Sequence, residues 1–130
     1  MMAPPAGYTT CISMWTNVAN TAPAANDYLF IQHRIEGYRV SRLAWGAAGA
    51  QQQPLSIGFW ISVGTLGTYA LAIRNHDGSR SYVTTFTMSA AGWQWKTFTI
   101  PGDTAGTWLN TNTNATHLHN NSNNNQLYSR

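Results

Sequence analysis

Charge is scarce in this sequence. Only 8% of its residues are Asp, Glu, Lys or Arg, against about a quarter in an ordinary globular domain. The acids number four, Asp27, Glu36, Asp77 and Asp103, which leaves little for catalysis that needs paired carboxylates, such as glycoside hydrolysis. Asp77 and Asp103 stand beside glycines, where Asp bonds its own turn backbone. Glu36 heads a helical turn with Arg39 three residues on, an arrangement that complements the helix dipole. A single cysteine, Cys11, excludes an internal disulfide, and a buried inert thiol is the expectation for it. The seven cations are scattered along the chain, with no clustered stripe to track a phosphate backbone, so nucleic acid is not an expected partner.

Other signatures are missing as well. No apolar run approaches the ~20 residues that span a bilayer, and the N-terminus lacks the basic flank and apolar core of a secretory signal. No nucleophile elbow, phosphate-cradling glycine loop or dinucleotide fingerprint occurs. His33, His76, His117 and His119 have no Cys cluster or suitable acid near them in the sequence, so neither a metal nor any other cofactor is expected. The chain reads as non-catalytic.

What is present is β-structure. The 130 residues are 43% hydrophobic, enough for one domain with a core that needs no metal or disulfide. Residues 1–10 are small and proline-bearing, a flexible lead-in. Residues 11–18 (CISMWTNV) alternate with period two, which predicts a strand. Residues 28–35 (YLFIQHRI) predict another, and residues 36–45 (EGYRVSRLAW) a short helical turn, with Val40, Leu43 and Ala44 at helical spacing. Strands follow at residues 54–63, 68–75, 80–88 and 93–101, separated by the turn signals Gly64 with Gly67, Asp77-Gly78 and Pro101-Gly102. Short strands and glycine-rich turns predict an all-β antiparallel sandwich over residues 11–108. Residues 109–130 are rich in Asn and nearly free of apolar side chains, the composition of a disordered tail.

The alternation also picks out aromatics on polar faces. In residues 54–63, Leu55, Ile57, Phe59, Ile61 and Val63 share one face, leaving Ser56, Gly58, Trp60 and Ser62 on the other. Trp95 shares its face with Thr97 and Thr99, whereas Phe98 and Ile100 take the apolar side. Arg74 faces away from Tyr69, Leu71 and Ile73. Sugar rings lay a CH face on indole and bond their hydroxyls to polar side chains, so Trp60, Arg74 and Trp95 form the candidate ligand platform. The competing reading packs these tryptophans under the helical turn, under a loop or against another chain. Trp45, Trp93 and Trp108 read as core or edge-sealing residues.

Five pieces carry a resemblance: IEGYRVSRLAWG (35–46), QPLSIGFWISV (53–63), GTYALAIRN (67–75), RSYVTTFTM (80–88) and WKTFTIPGDTAGTW (95–108). Together they resemble a domain of phage and prophage tail-fibre and other structural proteins, similar in form to carbohydrate-binding jelly rolls of the galactose-binding type. Two departures stand out: Gln51 and Gln52 lengthen the loop before Pro54, and the further strands that follow in such domains are replaced by the Asn-rich segment, as though the domain were truncated or frame-shifted. The resemblance implies a virion module made in the host cytoplasm without a signal peptide, recognising a cell-surface saccharide for host attachment. The alternative it leaves is a structural or assembly module that contacts other virion subunits and binds no sugar.

Overall fold

The computed structural model describes residues 3–15, 18, 20–22, 24–47 and 51–108, together with the backbone of a strand at Asn114–Asn121. The elements in chain order are β1 (Phe30–Glu36), α1 (Gly37–Val40), a 3-10 turn (Ser41–Leu43), β2 (Leu55–Ile61), β3 (Gly67–Asn75), β4 (Ser81–Met88), β5 (Gln94–Ile100) and β6 (Asn114–Asn121). All pairings are antiparallel. A four-stranded sheet runs β1-β6-β3-β4, and a two-stranded sheet pairs β2 with β5. The fold is thus all-β with one short helix.

Alternation along each strand determines which side chains meet between the sheets. On β3 the buried residues Tyr69, Leu71, Ile73 and Asn75 alternate with more exposed ones, and on β2 the less exposed positions are Leu55, Ile57, Phe59 and Ile61. The inward faces close into two apolar clusters. One joins Leu43, Trp45, Ile73 and Ile100 with Val40, Leu55, Ile57 and Trp108. The other joins Tyr69, Leu71, Phe86 and Met88 with Phe59, Ile61, Val63 and Phe98. Phe59 and Phe98 stack at 5.8 Å and both reach Phe86 across the intersheet space. Burial of each such side chain contributes about 1.5–3 kcal/mol, which makes this interdigitation the main stabilising term.

The helical turn supplies Leu43 and Trp45 to the first cluster. It ends at Ala44, whose φ of 54° lies in the left-handed region, a conformation that disfavours a residue with a Cβ. The turn places the Trp45 ring 4.7 Å from Trp108, edge to face, and the Trp45 Nε1–H donates to the Gln53 carbonyl at 2.7 Å.

Three sequence expectations need correction. Residues 11–15 form no strand, and Ile12 and Trp15 are 79% and 71% exposed. Period-two alternation is a property of one segment, whereas a strand forms only where its backbone joins a ladder. The lead-in is not wholly free: Pro5 is buried, and the Ala3 carbonyl accepts the Trp93 Nε1–H at 2.9 Å. Inside the segment read as a disordered tail, Asn114–Asn121 runs between β1 and β3 and pairs with both. A central position satisfies the backbone on both edges, so a strand can form without an apolar side-chain pattern. Residues 109–113 and 122–130 lie outside the described residues.

Candidate functional site

The outer face of the small sheet is uncharged. Cross-strand register places Ser56 opposite Thr99, Gly58 opposite Thr97 and Trp60 opposite Trp95. Ser56 and Thr99 share a hydroxyl–hydroxyl hydrogen bond of 3.3 Å. The indoles of Trp60 and Trp95 lie 5.6 Å apart with their planes tilted by 59°. They are 40% and 49% exposed, so each ring keeps a large area in contact with solvent.

Gly58 explains how Trp95 is seated. A Cβ built on Gly58 would overlap Trp95 Cζ2, with Cη2 at 3.0 Å and Thr97 Cγ2 at 3.2 Å. The indole therefore lies across the bare glycine backbone and occupies the space a side chain would fill, an aromatic cover for a strand glycine. Trp60 stands beside it on the paired strand. The result is a two-ring surface flanked by the hydroxyls of Ser56, Thr97 and Thr99, all on regular strand and none on a loop.

The third candidate, Arg74, does not join this surface. On β3 it alternates with Leu71 and Ile73, which face the core. It therefore stands on the outer face of the four-stranded sheet, on the opposite side of the molecule from Trp60 and Trp95. A Cβ built on Gly78 in the β3–β4 turn would overlap its guanidinium. Alternation within a strand tells which side chains face the core, but not which of two sheets the strand enters. The same register sets His117 opposite Arg34 and Arg74 in the backbone ladder, and His119 opposite Gln32 and Ala72.

Each acid is engaged in local structure. Asp27 accepts from the Ala24 N–H at 2.9 Å and from Asn20 Nδ2 at 3.0 Å. Glu36 pairs with Arg39 at 3.2 Å. Asp77 accepts from the Ser79 N–H at 2.9 Å and its hydroxyl at 2.7 Å, which holds its carboxyl below the ordinary aspartate range. Asp103 accepts from the Ala105 N–H at 3.1 Å, but it does more than cap its turn. It accepts both Arg80 Nε–H and Nη2–H, the latter at 2.6 Å, and the Trp108 Nε1–H at 2.9 Å. Arg80 above all, then Trp108, lowers its pKa, against an opposing effect of partial burial.

This Arg80–Asp103 pair closes one end of the sandwich. It lines a cleft of about 160 Å³ with Trp45, Ile73, Ile100 and Trp108. Beside it Asn75, fully buried, donates through Nδ2 to Ser79 Oγ at 2.9 Å and to the Thr107 carbonyl at 3.1 Å, and accepts from the Arg80 N–H at 3.0 Å. Gly106, at φ 76°, sits where a Cβ would overlap the Arg80 side chain. The polar groups here bind one another, which makes the cleft a structural joint. Among the described residues no three His, Cys, Asp or Glu side chains come together as metal ligands, and no helix is long and apolar enough to cross a membrane.

The sequence signal for the platform was the pairing of small or hydroxylic residues with Trp on alternate positions. Of its three candidates, the fold brings Trp60 and Trp95 together on one face. The signal missed Gly58 as the seat of Trp95, Asn75 as a buried hydrogen-bond hub, and the Arg80–Asp103 pair, whose partners are far apart in sequence. Comparisons of the chain with protein-family models, with curated proteins and with solved structures find no match.

Proposed function

We propose that the chain is a non-catalytic saccharide-binding module whose ligand lies on Trp60 and Trp95. The observation that carries this reading is the pair of exposed indoles, held side by side on strand backbone and flanked by Ser56, Thr97 and Thr99, with no charged side chain on that face. An apolar CH face of a pyranose would stack on an indole while its hydroxyls exchange hydrogen bonds with Ser and Thr. A neutral surface suits a neutral sugar better than an anionic one. Arg74 has no part in this site.

The platform is open and has no enclosing wall, so each site would bind weakly, with Kd on the order of 0.1–1 mM. Weak single sites become useful when several copies are displayed together. That fits the setting implied by the resemblance over residues 35–108, a jelly-roll module of the galactose-binding type in a phage or prophage tail or fibre, acting in host attachment. The competing reading is an assembly module in which another subunit covers the two rings.

A glycan array probed with the full chain and with its Trp60→Ala and Trp95→Ala variants tests the proposal, with circular dichroism to show that each is folded. Saturable binding lost in either folded variant supports it. A folded chain that binds no glycan and self-associates through the tryptophan face transfers support to assembly.

A further inference from the structure

The cations of the described residues divide into those with partners and those without. Arg39 pairs with Glu36, Arg80 with Asp103, and the Lys96 ammonium donates to the Thr87 carbonyl at 2.9 Å. Arg34, Arg74 and Arg42 of the 3-10 turn make no ion pair or side-chain hydrogen bond among the described residues.

The ladder of the four-stranded sheet brings two of these three together. Arg34 of β1 and Arg74 of β3 are both in register with His117 of β6, so they stand in one cross-strand row, two strand spacings or about 10 Å apart. Residues in register share a face. Because Leu71 and Ile73 face the core, both arginines stand on the outer face of the sheet. Ser81 of β4 continues the row, and the neighbouring outward pairs are Ala72 with Val83 and Ala70 with Thr85. These side chains are short and uncharged, and they leave a low floor beside the arginines.

The β3–β4 turn makes room for one of the two charges. The half-buried Arg74 guanidinium occupies the space that a side chain at Gly78 would fill, with a built Cβ 3.2 Å from Cζ. Gly78 itself has a φ of 72°, which glycine adopts without strain. The acids nearby in sequence are engaged elsewhere, Asp77 by Ser79 and Glu36 by Arg39. Two guanidiniums on one face, each a planar fork of N–H donors, therefore lack an anion, and the fork matches the oxygens of a carboxylate or a phosphate.

Two cations in one row do not make the continuous stripe that tracks a nucleic-acid backbone. They match a single group of double charge. A phosphate monoester carries about −1.5 to −2 charges and three acceptor oxygens at neutral pH, enough to receive both forks, whereas a carboxylate has one charge and two oxygens. The uncharged floor, with the hydroxyls of Ser81 and Thr85 at its side, suits a neutral polyhydroxylated carrier.

We propose that Arg34 and Arg74 form an anion site on the outer face of the four-stranded sheet, which takes the phosphate of a sugar phosphate and lays the sugar over Ala70 and Ala72. This surface is distinct from the tryptophan pair and does not depend on that reading.

A titration of the full chain with glucose 6-phosphate at constant ionic strength, followed through its amide NMR resonances, tests the proposal. Inorganic phosphate, a phosphopeptide and an oligonucleotide are the comparison probes. The expected result is saturable shifts at Arg34, Arg74, Gly78 and Ser81, tighter binding than any comparison probe, and affinity lowered at least about tenfold in Arg74→Gln and in Arg34→Gln. Arg74→Lys, which keeps the charge and loses the fork, should lose less. Both side chains reach solvent, so the variants are expected to fold, which circular dichroism checks. Shifts confined to Trp60 and Trp95, equal affinity in the folded glutamine variants, or a comparison probe bound as tightly as the sugar phosphate overturns the proposal.

Discussion

Replacing Gly58 with alanine separates the stability of the fold from the geometry of its tryptophan pair. The new Cβ would overlap Trp95 Cζ2 and stand 3.0 Å from Cη2. Ordinary carbon contacts begin at about 3.5 Å, so the ring must lift by about 1 Å. Two terms then oppose each other. Alanine in place of a strand glycine stabilises by about 0.5–1 kcal/mol through the unfolded chain. Lifting a half-covered indole returns roughly 30–50 Å² to water, which costs about 1 kcal/mol. The sum is close to zero, and the urea midpoint should hardly move. The Trp60–Trp95 coupling, which depends on a 5.6 Å separation and a 59° tilt, should change visibly in circular dichroism, together with the Trp fluorescence. A loss of more than about 2 kcal/mol would show that the backbone at residue 58, not the ring, requires glycine. An unchanged tryptophan spectrum would show that Trp95 does not rest there.

The remaining predictions concern the core and its closing joint. Ile73→Ala empties a position that is 1% exposed and should lower the unfolding free energy by about 2–4 kcal/mol in urea, whereas Ile12→Ala should change it by less than about 0.5 kcal/mol. Ala44→Gly relieves the left-handed position at the end of the helical turn and should raise stability by about 1 kcal/mol, read as a shifted midpoint at constant slope. Because Arg80 lowers the Asp103 pKa in the folded chain, the contribution of that carboxylate is complete above the ordinary aspartate range and fades as the pH falls through its depressed value. Urea midpoints measured down the acid limb should fall less steeply in Asp103→Asn, and the slope that remains should include Asp77, whose pKa Ser79 lowers in the same direction.

Much of the fold could be read from single segments. β2 to β5 follow directly from alternation and from glycine-bearing turns, because an antiparallel strand with one buried face writes that face into its own residues. Tertiary partners are not written that way. Ile12, Met14 and Trp15 have strand alternation but lie in no strand, while Asn114–Asn121 has no apolar alternation but pairs with two neighbours. For the site, Trp60 and Trp95 were legible because the faces of their strands could be assigned independently. Arg74 was misplaced because its face was read correctly but its sheet was not. The Arg80–Asp103 pair could not be read from local pattern at all, since 22 intervening residues separate its partners.

The most direct test of the central claim is a calorimetric or fluorescence titration of the full chain and of Trp60→Ala/Trp95→Ala with a neutral oligosaccharide chosen from the array. Saturable binding by the full chain, absent from a double variant that keeps its β-sheet spectrum, is the outcome expected if these two rings carry the ligand. Equal affinity in the folded double variant would contradict it and place any saccharide site elsewhere on the molecule.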